Sequence, residues 1–299
     1  MAAEDSTLII VCGPTASGKT DFAIELAQHF NTEILSVDSR QIYKEMSIGT
    51  AKPSAEKLKL IPHHFINHCS IYEHYNAGIF EKEAFKLLEN LFQKYKVVVA
   101  SGGTGMYIKA LCEGLDELPI ANENLRQQLQ KELDENGVDY IYKKLQNLDF
   151  EGSKTVDGKN PHRIMRALEL VTETGQSILK IKTNPKIKRP FKIVKLMMDL
   201  DRATLYHRIN SRVDEMINEG LVEEARNLFP FKNLKALQSV GYSELFEYFE
   251  GNCSLAEAIE KIKQHTRNYA KRQLTWFRKG EDLMLHHQFN RDEINQVIE

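Results

Sequence analysis

Short apolar runs alternate with helical periodicities along the first third of the chain. Residues 8–12 are all apolar, which is typical of a strand buried on both faces of a sheet. Apolar residues then recur at helical spacing over 22–30. A second strand is predicted at 33–37, a helix at 77–94 and a third strand at 96–100. Strands that alternate with helices predict an α/β fold with a parallel sheet.

The alternation stops near Leu118 and Pro119. Three predicted helices follow, at 125–133, 140–148 and 161–173. Residues 191–200 regain strand character, and amphipathic helices then continue to about residue 279. The pattern predicts a core of residues 1–117 and 191–299, which is interrupted by a helical insertion domain of residues 118–190.

A phosphate-binding motif lies between the first strand and the first helix. Its residues are Gly13, Pro14, Thr15, Ala16, Ser17, Gly18, Lys19 and Thr20, which fit the pattern G-x-x-x-x-G-K-[ST]. Backbone N–H groups, the helix N-terminus and Lys19 are expected to converge on a polyphosphate, and the Thr20 hydroxyl is placed to bind Mg²⁺. Together with the alternating pattern, the motif predicts a P-loop NTPase-like parallel sheet core.

Other candidate site residues follow later strands. Asp38 ends the second predicted strand, where a carboxylate can act as a base, a metal ligand or a helix cap. A second glycine-rich loop at 101–107 contains Thr104 and follows the third strand. Arg208 and Arg212 stand four residues apart on a predicted helix, so they either converge on a phosphate or pair with nearby carboxylates.

The histidines and cysteines give little sign of a metal site or a disulfide. His63, His64, His68 and His74 crowd one window, but the alternation beside Pro62 predicts a strand, on which His64 and His68 would not converge. The four cysteines are scattered without CxxC spacing, which argues for a reducing cytoplasm. The N-terminus is acidic and shows no signal peptide, and no apolar run is long enough to span a bilayer.

The net charge of −2 hides local asymmetry. Residues 180–195 and 261–280 each contain seven lysines and arginines and no acidic residue. Such runs indicate either a polyanionic partner or two solvated faces. In the last predicted helix, Lys263, Arg267 and Lys271 form a basic stripe that Arg278 extends. Its predicted apolar side is formed by Leu255, Ile259, Ile262, Tyr269 and Trp276.

Several motifs together resemble those of one enzyme family. Beyond the phosphate loop they are DSRQIYK at 38–44, IGTAKP at 48–53, GGTGMY at 102–107, RIMRALE at 163–169, SVGY at 239–242 and KRQLTWFR at 271–278. In this order they resemble tRNA dimethylallyltransferase, also called tRNA isopentenyltransferase. The chain lacks the C-terminal Cys/His zinc finger of eukaryotic members, so it is more similar to the shorter bacterial form.

The resemblance implies a prenyl transfer reaction. The dimethylallyl group of dimethylallyl diphosphate would move to N6 of adenosine 37, beside the anticodon of tRNA, and ATP would not be required. Lys19, Thr104, Arg212 and Mg²⁺ would hold the leaving diphosphate, with Arg208 a weaker candidate. Asp38 matches the general base for the N6 amine. The protein is expected to be a monomer in the cytoplasm, with no membrane association.

The resemblance also implies a set of contacts with the tRNA anticodon stem-loop. These are expected from Asp38, Ser39, Arg40, Gln41, Thr104, Arg126, His162, Arg163, Ile164, Met165, Arg166, Gln238, Ser239, Val240, Gly241, Tyr242, Ser243, Lys271, Arg272, Gln273, Trp276 and Arg278. Many relatives have a His and an Asp where this chain has Asp157 and Asn160, so no role is assigned to these two positions.

Three other functions are compatible with parts of the sequence. A relative that prenylates free adenine nucleotides would use the same loops, although it would need neither the insertion nor the basic C-terminal helix. An ATP-hydrolysing RNA-binding switch would need a strand that ends in a Mg²⁺-binding Asp, for which Asp38 is the available residue. A small-molecule kinase would explain the first half of the chain but not the second.

Overall fold

The computed structural model describes residues 6–116, 118–119, 122–183 and 186–279, together with the backbone of a strand at Leu283–His286. These residues form two compact units. The first combines the residues up to Cys112 with those from Lys188 onward, and the second is Glu113–Ile187. The division therefore falls a few residues before the boundaries expected at 117/118 and 190/191.

The first unit is built on a sheet in which neighbouring strands are parallel. Its strands are β1 (Thr7–Cys12), β2 (Ile34–Ser36), β3 (His63–His64), β4 (Val97–Ser101), β5 (Lys192–Met198) and β6 (Leu283–His286). Their order across the sheet is β3-β2-β4-β1-β5-β6. The predicted parallel α/β sheet is confirmed, and β1 lies near its centre.

The helices follow the predicted alternation. They are α1 (Lys19–His29), α2 (Ala55–Leu60), α3 (Ala77–Leu91), α4 (Gly105–Glu113), α5 (Glu123–Leu148), α6 (Phe150–Ser153), α7 (Pro161–Thr174), α8 (Ile178–Ile181), α9 (Arg202–Asn218), α10 (Leu221–Leu228), α11 (Tyr242–Phe249) and α12 (Leu255–Phe277). The sequence did not predict α2, nor did it predict that α4 begins directly after the second glycine-rich loop. In the described part of the chain, no helix is long and apolar enough to cross a membrane.

Helices bury the sheet on both faces. Along β1, Leu8 and Ile10 enter the larger hydrophobic core, and Ile9 and Val11 enter a second core that contains the apolar side chains of α1. All six residues of β1 are buried. This double burial explains why the strand reads as a continuous apolar run, since a strand with one solvated face would alternate.

The second unit has its own helical core. Leu129 of α5 packs with Ile141 and Leu145 from the same helix and with Ile164 and Leu168 of α7. Backbone angles leave the helical range at residue 137, a glycine with φ of 82° and ψ of 177°, so α5 consists of two helical segments. The two segments correspond to the helices predicted at 125–133 and 140–148.

Asp157 and Asn160 have local structural roles in the second unit. The Asn160 side chain accepts a hydrogen bond from the Arg163 N–H at 3.2 Å and caps the start of α7. The Asp157 carboxylate accepts one from the Lys159 N–H at 3.1 Å. Both side chains therefore stabilise the turn that leads into α7.

Of the five residues predicted on the apolar side of α12, only Ile262 is buried, three are half-buried and Trp276 is exposed. Ala258, Ile262, Ala270, Gln273 and Phe277 are buried, whereas Leu255, Ile259 and Tyr269 are half-buried. The predicted burial of Trp276 is wrong, because this side chain is 42% exposed. The buried positions recur every three or four residues and end on Gln273 and Phe277, which leaves Trp276 one step around the helix.

Candidate active site

A cavity of about 540 Å³ opens where the loops after β1, β2 and β4 meet. Its walls come from the phosphate loop, the turn that begins at Asp38, residues 49–51, residues 101–103, and parts of α9, α12 and 238–244. All of these lining residues belong to the first unit. The cavity therefore lies at the carboxyl edge of the sheet, where ligands bind in open α/β folds.

The phosphate loop has the backbone geometry of an anion site. Gly18 is the N-cap of α1 with φ of 93°, and no side chain caps this helix. The first N–H groups of α1 are therefore left for a ligand. The Lys19 ammonium donates a hydrogen bond to the Pro14 carbonyl at 2.5 Å. The predicted order of strand, glycine loop and helix is confirmed.

Two cations share this end of the cavity. Lys19 and Arg212 both line it, and the charge of Arg212 acts on Lys19. Burial first, and then Arg212, lower the pKa of Lys19 to about 8, while Asp38 acts in the opposite direction. Burial also lowers the pKa of Arg212. Within the described residues the Arg212 guanidinium makes no ion pair or hydrogen bond, so the site favours an anion that would neutralise both cations.

Arg208, four residues before Arg212 on α9, is exposed and does not line the cavity. Its Nη1 nevertheless lies near the phosphate loop, 3.7 Å from the position that a Cβ on Gly18 would occupy. Among the described residues no carboxylate forms an ion pair with Arg208, and Asp214 of the same helix binds Lys263 at 2.8 Å. Arg212 is thus the arginine of α9 that reaches the site.

Asp38 closes a turn at the cavity wall. Its Oδ1 accepts hydrogen bonds from the N–H groups of Arg40 at 2.8 Å and Gln41 at 3.2 Å. The helix-cap interpretation is wrong, because a turn and not a helix follows Asp38 and the next helix begins at Ala55. The two amide contacts fix the carboxylate in place while it lines the cavity.

Thr104 joins the second glycine loop to this turn. Its Oγ1 accepts a hydrogen bond from the Ser39 N–H at 3.0 Å, and its own N–H donates to the Val37 carbonyl at 3.3 Å. A Cβ on Gly102 would lie 2.0 Å from that carbonyl oxygen, so the close approach requires glycine. Thr104 is not among the lining residues, and its contact with a diphosphate stays a prediction.

Gln273 has a role that the sequence did not reveal. It is buried, its Oε1 accepts a hydrogen bond from the Thr15 N–H at 2.9 Å, and its Nε2 donates to the Gly103 carbonyl at 2.9 Å. The side chain therefore connects α12 to both glycine loops. The resemblance assigned Gln273 to tRNA, and nothing in the local pattern indicated these partners.

Tyr269 is a second residue whose position at the cavity the sequence did not predict. Helical spacing put it on the apolar side of α12, but it lines the cavity. Burial raises the pKa of Tyr269 to about 12. A tyrosine in an apolar stripe is more often a core residue, so spacing alone could not have found it.

The structure separates the expected tRNA contacts of the first unit into two groups. Ser39, Arg40, Gln41, Gln238, Ser239, Val240, Gly241, Ser243, Arg272 and Gln273 line the cavity. Tyr242 does not, because its side chain is completely buried and its hydroxyl donates to Glu224 at 2.7 Å. The Tyr242 side chain is therefore not available at the cavity surface, and a contact of this position with RNA stays a prediction. Arg40 donates to the carbonyls of Lys235 and Ala236 at 3.4 and 3.1 Å.

In the second unit, the expected tRNA segment 162–166 is only partly at the surface. His162 and Arg163 are exposed. The side chains of Ile164 and Met165 are buried in the helical core, so their expected contact with RNA stays a prediction that only their backbone could meet in this structure. The cause is the spacing of α7, which turns these two residues towards α5.

Arg126 and Arg166 share one acidic partner. The Glu169 carboxylate is completely buried and lies 2.9 Å from Arg126 Nε and 3.0 Å from Arg166 Nη1. A buried carboxylate needs such partners, so both arginines have a structural role in addition to any contact with RNA.

The two basic runs are not continuous surfaces. In the first, Arg189 is buried and pairs with Glu81 at 2.7 Å. In the second, Lys261 pairs with Glu247 at 2.7 Å, and Arg267 donates to the Asn210 amide oxygen at 2.6 Å. The acids come from other helices, which the sequence of each run could not show. Lys271 and Arg272 remain exposed, and Arg278 lies 3.5 Å from Asp199.

The histidines bind separate carboxylates. His64 Nε2 lies 2.6 Å from Glu33 Oε2, and His68 Nε2 lies 3.0 Å from Glu83 Oε2. Among the residues described, no group of three or more His, Cys, Asp or Glu side chains is placed to hold a metal.

The fold and the cavity define an α/β protein with a P-loop-type core and an uncapped helix start at its carboxyl edge, and comparisons with known proteins narrow the class. The family model for IPP transferase matches residues 41–280. A tRNA dimethylallyltransferase of Christiangramia forsetii is 51% identical over 92% of this chain and 91% of its own. One from Cytophaga hutchinsonii is 45% identical over 98% and 96%. The chain therefore belongs to the IPP transferase family, as its motifs predicted.

Solved structures agree. The tRNA isopentenylpyrophosphate transferase of Bacillus halodurans is 33% identical with a TM-score of 0.70, and the match covers 98% of this chain and 94% of that one. A eukaryotic dimethylallyltransferase acting on tRNA is 26% identical with a TM-score of 0.77, covering 98% and 78%. The predicted core fold is shared with these proteins.

The charge of Lys19 should control anion binding. Its pKa of about 8 means that the ammonium is charged below pH 8 and loses its proton as the pH rises through that value. In Mg²⁺-free buffer, pyrophosphate affinity should therefore fall by roughly tenfold per pH unit above pH 8. Calorimetric titration of Lys19→Arg, which stays charged, should show a shallower fall. If wild type and Lys19→Arg show the same pH dependence of pyrophosphate affinity, the charge of Lys19 does not control anion binding.

Gln273 should support the phosphate loop. Gln273→Ala removes the partners of the Thr15 N–H and the Gly103 carbonyl, so we expect about tenfold weaker pyrophosphate binding by calorimetry. Gln264→Ala, at an exposed position of the same helix, is the matched control and should bind normally. Tighter binding by Gln273→Ala would instead show that Gln273 blocks the Thr15 amide.

Proposed function

We propose that this protein transfers a dimethylallyl group from dimethylallyl diphosphate to N6 of adenosine 37 of tRNA. The observation that carries the proposal is the pair of cations, Lys19 and Arg212, beside the uncapped start of α1 in a cavity that Asp38 also lines. The family and the relatives named for this activity support it. The protein would act as a monomer in the cytoplasm.

The leaving group explains the positive end of the cavity. When the allylic carbon–oxygen bond breaks, negative charge develops on the diphosphate. Lys19, Arg212 and the N–H groups of the phosphate loop are held by the fold before the reaction, so they stabilise that charge without rearrangement. ATP has no part in this step, because the bond that breaks lies in the prenyl donor.

The residues present fit Mg²⁺. The Thr20 hydroxyl lines the cavity, and the nearby Ser17 hydroxyl is buried without a hydrogen-bond partner within the described residues. Mg²⁺ prefers oxygen ligands and is commonly bound through substrate phosphates with few protein groups. Thr20 would hold the ion, which would supply additional positive charge to the diphosphate.

Asp38 would accept the proton of the acceptor amine. The N6 amine is a weak nucleophile and loses a proton as its new bond to carbon forms. Because the Arg40 and Gln41 amides fix Oδ1, the carboxylate is oriented before the base enters. Thr104 supports the same wall, since its hydroxyl oxygen accepts a hydrogen bond from the Ser39 N–H, and Tyr269 lines the cavity as well.

The adenine must leave its stack to enter the cavity, which costs a few kcal/mol. RNA contacts around the opening would offset this cost. Lys271 and Arg272 are exposed at the end of α12, where they would bind phosphates, and the exposed Trp276 offers a face for stacking. In the second unit, exposed His162 and Arg163 would contribute further contacts.

Asp38→Asn should nearly abolish prenyl transfer while RNA binding persists. The amide oxygen can still close the turn, but it cannot accept the amine proton, so turnover should fall by about 10²- to 10⁴-fold. The assay uses radiolabelled dimethylallyl diphosphate and an anticodon stem-loop, with ATP in a parallel reaction. Glu25→Gln, an exposed position on α1, is the control. Wild-type turnover by Asp38→Asn would refute the base assignment, and product from ATP alone would refute the function.

Replacing Lys271 and Arg272 with Gln should weaken RNA binding and lower the salt dependence of log Kd by about one for each lost phosphate contact. The comparison is the double variant of Lys82 and Lys86, two exposed lysines of α3. Fluorescence titration of a labelled stem-loop at several salt concentrations measures both quantities. If the first double variant keeps the wild-type slope, this face does not bind RNA.

A further inference from the structure

One carboxylate outside the cavity binds four donors at its wall. Glu224 of α10 accepts hydrogen bonds on Oε2 from the N–H groups of Ser47 at 3.0 Å and Ile48 at 2.8 Å. Its Oε1 accepts from the Gly49 N–H at 2.9 Å and from the Tyr242 hydroxyl at 2.7 Å. Both oxygens are thus used by donors that belong to two separate segments.

The first segment, residues 47–49, continues into the cavity wall and is linked to Asp38 through Gln41. Gly49, Thr50 and Ala51 line the cavity directly after the amides that Glu224 binds. The Gln41 amide nitrogen donates to the carbonyls of Thr50 at 3.2 Å and Ala51 at 3.0 Å. The backbone N–H of Gln41 binds Asp38 Oδ1. Glu224 is therefore connected to the Asp38 turn through hydrogen bonds that are joined by the backbone of residues 49–51 and by Gln41.

The second segment is the wall formed by residues 238–241. Tyr242 follows this wall and is completely buried against Gly49, where a Cβ would lie 2.6 Å from the tyrosine ring. Burial and the charge of Glu224 raise the pKa of Tyr242, so the phenol stays protonated and donates to the carboxylate. Glu224 therefore holds residues 47–49 against the segment that follows 238–241.

We propose that Glu224 is a positioning residue for the acceptor side of the active site. It does not line the cavity, and its described contacts do not include the phosphate loop. It acts through residues 47–51, Gln41 and Tyr242 on the wall that receives the nucleoside and on the Asp38 turn. The identity of that acceptor rests on the proposed function, whereas the connection itself rests on the hydrogen bonds.

The chemistry of the carboxylate makes this role testable. In Glu224→Gln, one oxygen becomes an NH₂ donor, which faces backbone N–H donors that it cannot bind. The Ser47 and Ile48 amides lose their acceptor if the NH₂ group replaces Oε2, and the Gly49 amide loses its acceptor if the NH₂ group replaces Oε1, where the Tyr242 hydroxyl can turn to accept. At least one backbone amide is therefore left without its acceptor, and each such loss is costly when the donor is shielded from water. Tyr242→Phe is a smaller change, because it removes one of the four donors and keeps the ring that packs against Gly49.

The experiment measures three properties of Glu224→Gln, Tyr242→Phe and wild type. Glu223→Gln is the matched control, since it removes the same charge from an exposed neighbour on α10. Hydrogen exchange reports on the amides of residues 47–49, calorimetry gives the affinity and stoichiometry for pyrophosphate, and steady-state kinetics give kcat and KM for the stem-loop.

Glu224→Gln should speed exchange at residues 47–49 and lower kcat/KM for the stem-loop by about 10- to 100-fold. Tyr242→Phe should show a smaller loss, and pyrophosphate binding should keep its affinity and stoichiometry in both. If Glu224 only stabilises the fold, pyrophosphate stoichiometry and kcat will fall together while KM is unchanged, which overturns the proposal.

Unchanged exchange at residues 47–49 in Glu224→Gln also overturns the positioning role, whatever the activity. If Glu224→Gln does not fold, Tyr242→Phe alone decides, because normal kcat/KM and normal exchange in that variant count against the proposal. A wild-type protein without transfer to the stem-loop would instead refute the proposed function, and the exchange and pyrophosphate measurements would still test the connection.

Discussion

The structure is organised around an electrostatic constraint, namely two cations gathered at one end of a cavity. Lys19 comes from the loop after β1 and Arg212 from the helix after β5, and these strands are neighbours in the sheet. Burial disfavours the charged form of both and lowers the pKa of each, and the charge of Arg212 lowers the pKa of Lys19 further. The folded sheet holds them together despite this cost, and the arrangement is most favourable when a polyanion lies between them.

Pre-organisation of the cavity comes from side chains that connect distant segments. Thr104 binds the Asp38 turn, Gln273 binds both glycine loops, and Glu224 binds residues 47–49 together with Tyr242. Each contact uses backbone groups of loops that would otherwise move with little restraint. Groups that are fixed before the substrate arrives do not need to reorganise in the transition state, which is where such contacts contribute to rate.

The two basic runs of the sequence do not form continuous basic surfaces in the folded protein. Neither basic run contains an acidic residue. Arg189, Lys261 and Lys263 nevertheless form ion pairs with carboxylates of other helices. Lys271 and Arg272 remain exposed at the end of α12, where Arg272 lines the cavity. In the second unit, buried Glu169 holds Arg126 and Arg166. The set of cations left for a polyanionic partner is therefore smaller than the composition indicated.

The sequence alone determined the parallel sheet, the phosphate loop, the helical insertion and the family, because apolar periodicity and the glycine-lysine motif are encoded locally. It also placed Asp38, Lys19 and Arg212 correctly at the cavity. Tertiary structure alone decided the roles of Gln273, Tyr269 and Glu224, the burial of Ile164, Met165 and Tyr242, and the exposure of Trp276. Gln273 and Thr15 are 258 positions apart, and no local pattern records which side chains meet when helices from opposite ends of a chain pack on one sheet.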